Sequence, residues 1–342
     1  MSGGRGEAPR TVTLLANPVA GGRRGTALAA ETARRLLARG VEVDLVAGRD
    51  AAEARARARA CVAAGADVLA VAGGDGMVHL AVQELAGSTT ALAVLPTGTG
   101  NDFARALGIP AGAPDAAAAA VAAGRRRRID LGRLTAPAGE GAAEGRVGEP
   151  SSATASGVGA GAGDGTPTGT AGAEARPRAA RWFGTVLTCG FDSFVNERAN
   201  RMTWPRGRAR YAVAVLAELG RLRPRPFTVT ADGRTEEFEA VLVAVGNTGV
   251  YGGGMRVCPH AAPDDGLLSV TVVGPATRSG LLRAFPRIYR GSHATHPLVR
   301  TFHARTLRVD SPGVPSFADG EPVGTLPLTA EAVPAALEVV VP

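Results

Sequence analysis

Two glycine-rich strings have the composition and position to handle phosphate: Gly73-Gly74-Asp75-Gly76 and Pro96-Thr97-Gly98-Thr99-Gly100-Asn101-Asp102. Each leaves a short apolar run and enters a helical pattern, which points free backbone N–H groups and the positive end of a helix at an anion. A third turn, Asn17-Pro18-Val19-Ala20-Gly21-Gly22, follows the first apolar run. None is a Walker loop, because the chain has no lysine, and none has G-x-G-x-x-G spacing. Phosphoryl transfer also needs a divalent ion and a base for the attacking hydroxyl. Asp75, Asp130 and Asp265 offer the hard oxygen atoms that Mg²⁺ takes. Glu321 ends an acidic turn, Phe317-Ala318-Asp319-Gly320-Glu321, and is the candidate base, with Asp319 as its local competitor.

Other chemistries find less support. His293, His296 and His303 lack a nearby cysteine or carboxylate to complete a zinc site, so packing or surface roles are expected. No Gly-x-Ser-x-Gly elbow occurs. Cys61, Cys189 and Cys258 lie far apart, which excludes a disulfide framework and fits a reducing cytoplasm. Met1 to Arg10 has no apolar core, and no run of about 18 apolar residues appears, so neither secretion nor membrane spanning is expected. Of the formal charge of +7, an equal share falls between Arg198 and Arg225, where eight arginines meet one acid, Glu218. An anionic partner is implied there. Three Tyr, two Trp and nine Phe supply too few stacking platforms for nucleic acid, so a membrane with anionic phospholipid is the expected partner. Arg125 to Arg128 read as a solvated strand lead-in.

The elements that must position these residues follow from periodicity. Short apolar strands at 11–16, 41–46, 68–72 and 91–95 alternate with helices at 26–39, 51–64, 78–85, from Asn101, and over 116–123, the pattern of βαβ units around a parallel sheet. Residues 137–180 are mostly Gly, Ala, Ser, Thr and Pro and cannot offset their ordering entropy. That tract reads as a disordered loop enlarging a hairpin between strands at 129–134 and 182–188. Beyond it, strands at 227–230, 237–245, 267–273 and 306–309, with helices at 211–219 and 279–289, read as a sandwich or barrel. The expected class is α/β: an N-terminal three-layer parallel-sheet nucleotide domain, residues 1–128 plus about 325–342, and a mostly β, sandwich-like domain over 129–324.

The ordered set Asn17-Pro18 with Gly21, Gly73 to Gly76, and Pro96 to Arg105 resembles the nucleotide-binding blocks of the diacylglycerol kinase catalytic domain family, soluble bacterial lipid kinases related to sphingosine kinases. The likeness continues through Ile129-Asp130-Leu131-Gly132, Gly190-Phe191-Asp192, Gly252 to Met255, Pro263 to Leu268 and Asp319-Gly320-Glu321. It implies ATP held by Asn17, Pro18, Gly21, Gly73, Gly74, Gly76, Met77, Gly98, Thr99, Asn101 and Asp102. It further implies Asp75 in the Mg²⁺ and phosphate network and a structural Mg²⁺ on Asp265 with carbonyls near Ala262 and Leu267. Asp102 and Asp130 would organise water and metal, and Glu321 would be the base. A lipid hydroxyl, most simply that of diacylglycerol, would be the acceptor, with the enzyme cytoplasmic and peripheral at the inner membrane face; a homodimer is compatible. Met77 and His79 depart from the usual Thr and Asn, and a threonine near Ala47 is missing. An NAD kinase and a catalytically silent regulator are the rival readings.

Overall fold

The computed structural model describes residues 9, 11–16, 22–135, 181–205 and 208–342. Asn17, Pro18, Gly21 and the whole 137–180 tract lie outside them. The first half runs β1 (Thr11–Ala16), α1 (Gly22–Leu37), β2 (Glu42–Ala47), α2 (Ala51–Ala63), β3 (Val68–Gly73), α3 (Asp75–Leu85), β4 (Ala91–Pro96), α4 (Asp102–Ala106) and α5 (Pro114–Ala122). Strands pair in parallel in the order β2-β1-β3-β4. Alternation along the strands divides their side chains between two cores. Leu14, Ala70 and Ala93 meet Ala29 and Leu36 of α1 and Val121 of α5. Leu15, Leu69 and Val94 meet Cys61 of α2 and Val78 and Leu85 of α3. Helices therefore cover both faces, giving the three expected layers, and each fully buried leucine contributes about 1.5–3 kcal/mol.

The second half comprises β5 (Arg126–Thr135), β6 (Arg181–Phe183), β7 (Val186–Gly190), α6 (Phe191–Arg201), α7 (Arg208–Gly220), β8 (Arg225–Ala231), β9 (Arg234–Ala240), β10 (Leu242–Gly246), β11 (Leu268–Val273), α8 (Arg278–Arg290), β12 (Val299–Ala304), β13 (Thr306–Asp310), β14 (Pro315–Ala318), β15 (Glu321–Thr325) and β16 (Leu328–Val340). The first sheet continues past β4 through β16, β13, β8 and β9, with β5 on β16 and β6 on β5. A second sheet, β12-β11-β10-β7-β14-β15, is antiparallel throughout. Its inner residues, among them Leu187, Val243 and Val270, pack on Phe227, Leu307 and Leu328 of the first. The sandwich thus borrows one wall from the sheet that begins in the parallel half.

Two expected strands are in fact broken, and the breaks have local causes. The run 182–188 splits at Gly184-Thr185 into β6 and β7, which belong to different sheets. Gly184 and Thr185 give their N–H groups to the Asp319 carboxylate at 3.0 and 2.7 Å, which removes them from any ladder. The run 237–245 splits at Val241, whose carbonyl accepts from Phe191 N–H at 2.8 Å. Helix α6 is unmarked by periodicity; Gly190, at φ 105°, turns the chain out of β7 into it. There its N–H donates to Ser193 Oγ at 2.9 Å.

Candidate active site

Asp75 stands in the first turn of α3, where the positive helix end favours a carboxylate. Its oxygens reach across to the neighbouring turn, Oδ2 accepting Asn101 N–H at 2.8 Å and Oδ1 accepting Asp102 N–H at 2.7 Å. Asn101 sits in the left-handed region at φ 55°, and its side chain bonds Gly98 N–H at 3.0 Å and Gly98 O at 2.7 Å. The two turns touch as backbone, so that a Cβ on Gly98 would lie 2.6 Å from Gly74 Cα. Met77 is 5% exposed and packs into the core under α3; it does not line the cavity that the turns border.

Asp102, 8% exposed, accepts Gly253 N–H on both oxygens at 3.0 and 2.9 Å. Burial pushes its carboxyl up, and the charge of Asp75 adds to that against the Gly253 amide. Gly252, Gly253 and Gly254 all have positive φ, a turn only glycine adopts without strain. A cavity of about 940 Å³ lies beyond. Asp75, Thr99, Gly100, Asp102, His79 and Asp319 border one part of it, and Val215, Leu216, Met255, Phe285 and Tyr289 another. A smaller, mostly apolar space of about 80 Å³ continues between α6, α7 and α8.

The acidic turn closes a two-residue hairpin, with Ala318 paired to Glu321 and Asp319 and Gly320 at φ 53° and 84°. The Asp319 side chain is 7% exposed and carries four bonds: from Gly184 N–H and Thr185 N–H, from Thr185 Oγ at 2.6 Å, and from His79 Nδ1 at 3.1 Å. Burial opposes its charge, but the bonds from His79, Thr185 and Gly184 prevail and hold the carboxyl below the ordinary carboxylate range. Glu321 is exposed, its Oε1 3.6 Å from where a Cβ on Gly76 would stand. His79 is one helical turn beyond Gly76, so the hairpin lies along one face of α3 at the glycine turn.

Asp130, 3% exposed, and Asp265 are placed apart from the cavity lining. Asp130 clamps backbone, accepting Gly266 N–H at 2.6 Å and Ala335 N–H at 2.8 Å. Exposed Asp265 accepts Leu267 N–H on one oxygen at 2.9 Å, in the turn that also holds Ala262. Among the described residues no group of three His, Cys, Asp or Glu side chains is set to hold a metal ion. The donors are hard oxygens, and the carboxylates retain free lone pairs after the amides are served. They fit Mg²⁺ held by one carboxylate, carbonyls and waters, not a dedicated protein cage.

In the sequence His79 stands only as a departure, and its bond to Asp319 is not legible there. Nor is a polar cluster at the junction of the two spaces, where Asp192 accepts from Tyr251 OH, from Tyr211 OH at 3.1 Å and from Asn196 Nδ2 at 3.0 Å. Burial pushes the Asp192 carboxyl and both phenols up. Only the string Gly190-Phe191-Asp192 signalled it. The histidines serve backbone: His293 Nε2 meets Val257 O at 3.1 Å and His303 Nε2 meets His260 O at 3.2 Å. Arg126 and Arg128 pair with Glu338, and Arg127 with Asp264. The basic segment is partly neutralised, Arg198 and Arg221 pairing with Glu218 and Arg201 with Glu197.

Paired glycine-rich turns at the carboxyl ends of parallel strands, facing a cavity with polar and apolar lining backed by a β sandwich, define a two-part fold of the lipid-kinase class. Residues 11–134 match the diacylglycerol kinase catalytic domain, and residues 185–341 match the YegS C-terminal NAD kinase beta sandwich-like domain. The chain is 42% identical over 333 residues to a diacylglycerol kinase of Mycobacterium tuberculosis, covering 97% of this chain and 95% of that one. It is 27% identical over 287 residues to a protein of Stenotrophomonas maltophilia named "Probable lipid kinase YegS-like", covering 79% and 77%. A diacylglycerol kinase crystal structure from Bacillus anthracis superposes with a TM-score of 0.66 at 20% identity, covering 98% of each chain, a likeness of fold. The chain belongs to the diacylglycerol kinase family. No helix among the described residues is long and apolar enough to cross a membrane.

Proposed function

We propose that the protein transfers the γ-phosphoryl group of ATP to a lipid hydroxyl, with diacylglycerol as acceptor and phosphatidic acid as product. The observation that carries this reading is the single cavity with glycine turns and carboxylates at one part and aromatic and aliphatic side chains at another. A nucleotide phosphate chain suits the first and an acyl chain the second. The amides of the Gly73–Gly76 and Gly98–Gly100 turns cradle the phosphates, with Thr99 beside them. Asp75 holds that cradle closed through Asn101 and Asp102.

Asp75 would hold the Mg²⁺ that accompanies ATP through water, and Asp265 a structural ion; a bound Mg²⁺ would supply the positive charge that offsets the transferring phosphoryl group. Glu321 takes the proton of the acceptor hydroxyl as the new O–P bond forms and the bond to ADP breaks. Unlike Asp319, whose oxygens are engaged by amides, Thr185 and His79, Glu321 is exposed beside Gly76. The test is transfer of labelled phosphate from ATP to a panel of diacylglycerol, sphingoid base, ceramide and glycolipid. Glu321→Gln keeps size and hydrogen bonding and should lower turnover by about 10²- to 10⁴-fold with ATP binding and Tm near wild type. Retention of more than about a third of turnover would remove Glu321 as the base.

A further inference from the structure

Helix α8 has no buried residue, yet Leu281, Leu282, Ala284, Phe285, Pro286, Ile288 and Tyr289 make up half of its length. Leu282, Phe285, Pro286 and Tyr289 recur at i, i+3, i+4 and i+7 and so form one stripe; Leu282, Phe285 and Tyr289 are 54, 40 and 47% exposed, and Leu282 and Phe285 also border the smaller apolar space. The less exposed Leu281, Ala284 and Ile288 form the inner side. Beside the stripe run Arg283, Arg287 and Arg290, again at i, i+4 and i+7, and the helix carries no acid. None of these three arginines has an ion pair among the described residues, whereas Arg198, Arg201 and Arg221 of the basic segment singled out in the sequence all do. Phe285 and Tyr289 also border the large cavity, next to Leu216 of α7, which is 65% exposed.

We infer that α8, with the exposed edge of α7 beside it, is the element that docks the protein on a bilayer containing anionic phospholipid, setting the apolar part of the cavity against the acyl layer. An exposed apolar stripe flanked by unpaired basic side chains is the composition of a helix that lies in the membrane interface, its rings and leucine in the acyl boundary and its guanidinium groups at the phosphates. The inference rests on the reading of the cavity as a lipid site, because it makes the membrane face and the acceptor's entrance the same surface. Within the basic segment 198–225, by contrast, Arg198, Arg201 and Arg221 each have a carboxylate partner.

Sedimentation with vesicles tests it, without ATP or acceptor, using phosphatidylcholine alone and phosphatidylcholine with phosphatidylglycerol, at low and high salt. The wild-type protein should bind the anionic vesicles more tightly, and more so at low salt. The triple variant Arg283→Gln, Arg287→Gln, Arg290→Gln should bind them about a hundredfold more weakly. The double variant Arg201→Gln, Arg221→Gln should stay within about threefold of wild type, since both side chains lie outside the docking helix. Equal binding by the triple variant and wild type, or equal binding of wild type to neutral and anionic vesicles, would overturn the inference. Phosphorylation of a water-soluble short-chain diacylglycerol, read in parallel, separates the two readings. The triple variant should retain it. A wild-type protein that phosphorylates no lipid yet binds vesicles as expected would strike the kinase reading and leave the docking standing.

Discussion

Asp319 and Glu321 share one hairpin and are given opposite tasks by their surroundings. Asp319 is walled in by donors, and Glu321, beside the glycine turn, has no hydrogen-bond partner among the described residues. An ionised carboxylate only accepts, so the His79 nitrogen facing Asp319 carries the proton. The depressed Asp319 carboxyl stabilises the fold most above the ordinary carboxylate pKa of about 3.9, and that stability is lost as pH falls through its lower folded value. Asp319→Asn should therefore cost about 1.5–3 kcal/mol at pH 7, and the gap to wild type should close as the pH is taken below about 3.9. Thermal melts across that range decide it; a gap independent of pH would show a steric loss instead. The acidic turn was legible in the sequence because Asp-Gly between apolar strands signals a tight hairpin. The division of labour between its two acids was not, since the donors around Asp319 come from residues more than 130 positions away.

At the scale of elements, the two glycine turns act as one unit because Gly74 and Gly98 meet backbone to backbone. Gly98→Ala places a methyl 2.6 Å from Gly74 Cα, which is backbone, and 3.0 Å from Asn101 Oδ1, whose side chain is held by bonds to Gly98 N–H and O. The turns must part. Stability should fall by about 1–3 kcal/mol, and the KM for ATP should rise at least about tenfold as the amides lose their common aim. Gly220→Ala is the control, because open space and a helical position make it neutral or stabilising by up to about 1 kcal/mol. Steady-state kinetics and melts of the two variants check both statements. Strand–turn–helix order made each turn readable on its own, down to the limits of β1, β3 and β4 within a residue. Their contact was hidden, as were the breaks at Gly184 and Val241, because each depends on a partner in another sheet or turn.

At the scale of the molecule, β16 ties the halves together. It runs antiparallel to β5 from Thr329–Thr135 to Val340–Arg126, pairs with β13 at its start and meets β4 in parallel at Val339–Leu92. A continuous sheet thus passes from the glycine turns into the sandwich. Periodicity gave the parallel half and the β character of the other, but not this shared wall, since nothing in a strand's sequence names its neighbour. The same sheet fixes what residues 136–180 must do. They join β5 to β6, which are antiparallel neighbours with Leu134 opposite Arg181, so the connection has only to return the chain to the adjacent strand. Its composition is poor in core-forming side chains. Removing Gly139 to Ala175 and joining the ends with a short turn shortens the closed loop several-fold. Closure entropy varies only with the logarithm of loop length, so the gain is limited to about 1–2 kcal/mol. The shortened protein should melt at or slightly above the wild-type temperature and keep its turnover within about twofold. A melting temperature several degrees lower would show that these residues contribute contacts to the fold, and a tenfold loss of turnover at unchanged stability would place them over the site.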